Sequence, residues 1–212
     1  DEKGEFPAEP KKTRKYVSAD FSLTAHDPSN FVKTYTGMFN MTEPEVSLAI
    51  AMYYIRNGET SKDVAVSIDG AHIKTNDVIH FDIVGFLKEN GYYQCDNRNK
   101  WQGEYKNLNY TPSIIVSSKP GIGDVSVELN SGEVLYVESK KFKSGCGGEY
   151  PAMREAIGQL MTGCPDDRIP VVAVPYNEKS ATLAERWLEN ERMRRSGICF
   201  ALVRENGYVE FM

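Results

Sequence analysis

Apolar residues in this chain recur with two periods, and the change from one to the other organises it. From Thr42 to Asn57, Val46, Ala49, Ile50, Tyr53 and Tyr54 fall three and four apart, on one face of a helix. Thr42 is the expected N-cap, with Glu45 three residues on as the acid of a capping box. Pro44 suits the first turn and Gly58 ends the helix. From 111 onward IIVSS, DVSVEL and VLYVESKK predict strands, and EYPAMREAIGQLMTG returns to the helical period. IPVVAVPY predicts a buried strand, ATLAERWLENERMRR a helix, and ICFALVRE and YVEFM two more strands. Antiparallel hairpin strands followed by helix–strand–helix–strand predict an α/β fold, a central mixed sheet flanked by helices.

Residues 60–110 are less regular. DVAVSIDGAHI alternates like a strand, DVIHFDIVGFLKENG looks helical and stops at Gly91, and GYYQCDNRNKWQGEYKN is polar and aromatic. The segment 58–110 fits an inserted small subdomain, either winged-helix-like or β-rich. Residues 1–20 are charged and Pro-containing with few apolar anchors, which predicts a linker or arm, with one domain over 21–212.

Composition changes this little. A chain of 212 residues, 41% hydrophobic and 26% charged, buries a core without metal or disulfide staples. It has neither an apolar run long enough to span a membrane nor an N-terminal apolar segment marking secretion. Cys95, Cys146, Cys164 and Cys199 form no C-x-x-C pair, which suits reduced thiols and a cytoplasmic setting. The net charge of −5 counts against a surface that grips nucleic acid everywhere, but leaves room for a local basic groove.

The chemistry concentrates at 124–141. Asn130-Ser131-Gly132 joins two strands as a three-residue loop, with Gly132 in its left-handed position. That register sets Leu129 opposite Glu133 and therefore Asp124 opposite Glu138. Val125, Val127, Leu129, Leu135 and Val137 share the core face; Asp124, Ser126, Glu128, Tyr136, Glu138 and Lys140 share the other. Facing carboxylates repel, and a divalent cation removes the penalty. Mg²⁺ is commonly held by one or two carboxylates plus waters and a phosphate oxygen. The Lys140 ammonium, on the same face, suits an attacking water and a phosphate.

Asp124, a short hairpin, then Glu138-Ser139-Lys140 resembles the PD-(D/E)xK nuclease superfamily, whose core is that of the restriction endonucleases. Gly123 stands where the motif has Pro. The resemblance implies a restriction-endonuclease-like fold over Thr42–Asn57 and about 111–205. It implies Mg²⁺ (Mn²⁺ as a substitute) on Asp124 and Glu138, with Lys140 serving the water. It also implies an acid on the preceding helix, Glu45 or as second choice Glu43, and a Gln on the following helix, Gln159. Each has a plainer role: Glu45 as capping acid, Gln159 as an exposed polar residue. The expected function is metal-dependent phosphodiester hydrolysis, most simply as a DNA endonuclease. The partner is nucleic acid, DNA ahead of RNA, with no membrane and homodimerisation left open. The rivals are a non-catalytic nucleic-acid-binding module that keeps the fold and an interaction domain without nucleic acid.

Overall fold

Helix α1 (Glu43–Arg56) begins where the capping box predicts. The Thr42 hydroxyl accepts from the Glu45 amide at 3.3 Å, and Glu45 Oε2 accepts from the Thr42 amide at 2.7 Å. Asn57 caps the other end, and Gly58 leaves it at φ +67°. The expected single apolar face is too narrow a description. Every residue from Pro44 to Ile55 is buried, because VSLAIAMYYI is apolar nearly all round and such a helix must be covered all round. The structure is a computed structural model and describes residues 41–95, 100–142 and 147–212. The arm expected at 1–20, with His26, Arg98, Lys143 and Cys146, lies outside the described residues.

After α1 come β1 (Val64–Ser67), the short helix α2 (Gly70–Ile73), β2 (Lys74–Thr75), β3 (Val78–Ile79) and α3 (Ile83–Glu89). Then follow β4 (Tyr92–Gln94), β5 (Gly103–Asn107), β6 (Tyr110–Ser117), β7 (Val125–Glu128) and β8 (Val134–Ser139). The chain continues through α4 (Glu149–Gly163), β9 (Ile169–Pro175), α5 (Glu178–Glu189), α6 (Glu191–Ser196), β10 (Cys199–Val203) and β11 (Val209–Phe211). A nine-stranded mixed sheet runs in the order β11-β10-β9-β8-β7-β1-β6-β5-β4. β8, β9 and β10 are parallel, while β7 lies antiparallel to both β8 and β1.

The segment 58–110, expected to be an inserted subdomain, is threaded through this sheet instead. β1 sits between β6 and β7, near the middle, and β4 and β5 extend the edge beyond β6. Of DVAVSIDGAHI, expected to be a strand throughout, only Val64–Ser67 is one and GAHI forms α2; only non-local pairing, silent in a local pattern, decides which sheet β1 joins. Among the described residues only β2 and β3 pair apart from the main sheet. The helix expected over ATLAERWLENERMRR is broken at Asn190, whose extended backbone ends α5 and whose side chain accepts from the Arg192 amide to start α6.

Two apolar layers sandwich the sheet. Val64, Val66, Val125, Val127, Leu135, Val137, Val171 and Ala173 join α1 in one core. Tyr136, Val172, Val174, Phe200 and Leu202 join Ala152, Met153, Ala156 and Leu160 of α4 in the other. Consecutive residues of β9 alternate between the two, as the pleat requires. Among the described residues, no helix is long and apolar enough to cross a membrane.

Candidate active site at the end of the central hairpin

The hairpin loop forms as its sequence dictates. The Gly132 amide donates to the Leu129 carbonyl and the Leu129 amide to the Glu133 carbonyl, both at 2.8 Å, with Gly132 at φ +88°. β7 and β8 keep the expected register, Glu128 opposite Val134 through Val125 opposite Val137. One step further the ladder slips. The Asp124 amide donates to the Val137 carbonyl at 2.8 Å, so the backbone turns at Asp124 and aims its side chain across the strand end. There Asp124 Oδ2 accepts from the Ser139 amide at 2.7 Å, and the Asp124 carbonyl accepts from the Ser67 amide of β1 at 2.8 Å. The expected polar face is also covered more than its residue types suggest: Tyr136 is buried beneath α4.

Gly123 makes this turn possible. Its φ is +72°, and a Cβ there would sit 2.8 Å from the Val137 carbonyl oxygen and 3.0 Å from the Tyr136 ring. Both the conformation and the space exclude a side chain, and proline, locked near −65°, cannot take this φ. Gly123→Ala is therefore expected to destabilise by about 1–3 kcal/mol, read as a lower Tm. Gly58→Ala, where φ is +67° but nothing lies within 4 Å of the added Cβ, is the control and should lose less. Equal losses would mean that φ alone demands glycine at 123.

Around this turn three predicted residues meet. The Glu138 side chain is only 12% exposed and lies within hydrogen-bonding reach of Asp124. Burial pushes the Asp124 carboxyl up to about 6. Burial, and then the Asp124 charge, push Glu138 up to about 7. Lys140, anchored through its amide to the Ala173 carbonyl at 2.9 Å, brings Nζ to 3.9 Å from Glu138 Oε2. Its charge opposes both shifts without cancelling them.

Other predicted residues are placed elsewhere. Glu45 is fully buried in the capping box, its Oε2 also accepting from the Thr42 hydroxyl at 3.0 Å. It is Glu43, two positions earlier, that reaches the cluster, with Oε1 3.8 Å from Lys140 Nζ. The reason is geometric: the N3 side chain folds back over its own cap, whereas the N1 side chain projects from the helix end. Gln159 is exposed on α4, whose Ala156 and Leu160 face the sheet, and no hydrogen bond joins it to the carboxylates. Trp101 is half-buried against the first core. Lys141 is exposed. His72, which spacing alone does not single out, lies with Nε2 3.9 Å from Glu43 Oε1. Only the fold brings it there.

The donor set is hard oxygen. Among the described residues no group of three or more His, Cys, Asp or Glu side chains is arranged to hold a metal ion, so the protein offers a carboxylate pair. A pair fits Mg²⁺, which keeps several waters and commonly takes one or two carboxylates plus a phosphate oxygen. Two half-buried acids whose common charge is disfavoured, beside one buried ammonium, form an arrangement that marks a candidate functional site. No protein-family model matches this chain, and no curated protein and no solved structure matches it either.

Proposed function

We propose that this protein is a divalent-metal-dependent nuclease with a restriction-endonuclease-like core, hydrolysing phosphodiester bonds in nucleic acid, DNA in the first instance. The observation that carries the proposal is the convergence of Asp124, Glu138 and Lys140 at one strand end, where the turn at Gly123 aims Asp124 across the end of the hairpin. Asp124 and Glu138 would hold Mg²⁺, or Mn²⁺ in its place. When bound, the ion lowers the pKa of a water and polarises the phosphate. The chain's own residues do the rest. Ser139 fixes the Asp124 carboxylate through its amide, so the pair is set before substrate arrives. Lys140, held by Glu43 and Glu138, offers a positive charge where a phosphate and its attacking water would lie. The water's hydroxyl joins phosphorus, the bond from phosphorus to the leaving oxygen breaks, and the proton ends on that oxygen.

The net charge of −5 favours a second reading, an interaction domain without nucleic acid. Incubation with plasmid and single-stranded DNA and with RNA, in Mg²⁺, Mn²⁺ or EDTA, separates the two. The nuclease reading expects strand breaks that need the metal. Intact substrate of every kind in Mg²⁺ and Mn²⁺ would sink it.

A further inference from the structure

The nuclease reading leaves one neighbour of the cluster unused. His72 stands on α2, directly after β1, and β1 reaches the site through the bond from the Ser67 amide to the Asp124 carbonyl. Two residues beyond Ser67, Asp69 caps α2 by accepting from the Ala71 amide at 2.9 Å. The His72 amide donates to the Asp69 carbonyl at 2.9 Å, and the buried Ile73 accepts from the His80 amide at 2.8 Å. The backbone that carries His72 is therefore pinned on both sides, and a pinned backbone next to a cluster of charges presents its side chain in one place.

Glu43 Oε1 lies 3.8 Å from Lys140 Nζ and 3.9 Å from His72 Nε2, so one carboxylate faces both groups. Exposure rises along this line. The side chains of Lys140 and Glu138 are 10% and 12% exposed, Glu43 20%, and His72 31%. His72 thus marks the open edge, the side from which a polymer too large to be enclosed must approach. Nε2 is turned towards Glu43, and no described residue hydrogen-bonds Nδ1. A doubly protonated ring, with Nε2–H towards Glu43 and Nδ1–H outward, is suited to an anionic oxygen.

We propose that His72 is a further residue of this site, oriented by Glu43 and donating a hydrogen bond to a phosphate of the bound nucleic acid. The inference rests on the nuclease reading and adds the contact that seats the strand. His72→Ala, His72→Gln and Asp124→Asn are compared with wild type in steady-state cleavage of a labelled DNA oligonucleotide in Mg²⁺, with Tm measured on each. His72→Ala should lose about two- to tenfold in kcat/KM, with most of the loss in KM and Tm unchanged. Gln keeps an N–H donor and should restore a large part. An unchanged kcat/KM in His72→Ala, on a wild type that cuts and an Asp124→Asn that does not, overturns the inference and leaves the nuclease reading standing. So does a loss that follows a fall in Tm and that Gln fails to restore. A wild type that cuts nothing removes both.

Discussion

Lys140→Ala is expected to bind nucleic acid almost as the wild type does and hardly to cut it. The substitution leaves Asp124 and Glu138 in place, so the ion site survives. One lost phosphate contact is a small share of an electrostatic interface built from many, so affinity should fall little. Cleavage is different. The Lys140 ammonium is held 3.9 Å from Glu138 and 3.8 Å from Glu43, on a side chain only 10% exposed, so in the proposed mechanism it already lies where charge develops in the transition state. Removing a preorganised group of that kind typically costs on the order of 10²–10³ in rate. The buried position adds a second effect: without the ammonium, Glu43 and Glu138 lose a compensating charge and crowd Asp124. Measured at saturating metal, kcat should carry nearly all of the loss. Equal losses in binding and cutting would make Lys140 a phosphate clamp. Undiminished cutting would remove it from the mechanism.

Metal should stabilise the folded protein, and acid should imitate metal. Asp124 and Glu138 have folded pKa values near 6 and 7, above those of free carboxyls, chiefly because burial disfavours their charge. A group raised on folding contributes stability that is fully present below its unfolded value. It is lost as pH rises through the folded value. In EDTA, Tm should therefore fall between about pH 5 and pH 8 by more in the wild type than in Asp124→Asn, which carries no charge there to repel Glu138. Mg²⁺ at pH 8 should reverse the fall. At a hundredfold excess over its Kd a ligand stabilises by about 2.7 kcal/mol, and each kcal/mol raises Tm by roughly 2–4 °C in a domain of this size. The rise in wild type should thus be of the order of 5–10 °C at that excess, and close to nothing in Asp124→Asn. A metal response that survives this substitution would place the ion elsewhere.

The two halves of the site were unequally legible in the sequence. A hairpin with a three-residue loop has its register written into the loop length and the alternation on either side. Asp124, Glu138 and Lys140 could therefore be brought together from a local stretch; the structure does gather them, but through a slip that sets Asp124 on the Ser139 amide and not directly opposite Glu138. The slip at Asp124 was not legible, although Gly123 signals it: a glycine where the motif has Pro requires a turn that only a missing side chain allows. Glu43 and Glu45 show why composition misleads at a helix start. Both are acids in the first turn, and only the direction of each side chain separates the capping acid from the one that reaches Lys140. His72 is 66 residues before Glu138 by its numbering, and it arrives because β1 is inserted between β6 and β7. Strand pairing across that distance leaves no periodic trace. The same blindness made 58–110 look like an insertion.

The central claim is that Asp124 and Glu138 together hold the ion that cleavage requires. Cleavage of a labelled oligonucleotide, followed as Mg²⁺ is titrated into metal-free wild type and metal-free Asp124→Asn, tests it most directly. If the two carboxylates hold the ion, neither protein gives product in EDTA, activity returns saturably in the wild type, and almost none returns in Asp124→Asn at any Mg²⁺ concentration. Superimposable Mg²⁺ curves for the two proteins, or product from the wild type in EDTA, would contradict it.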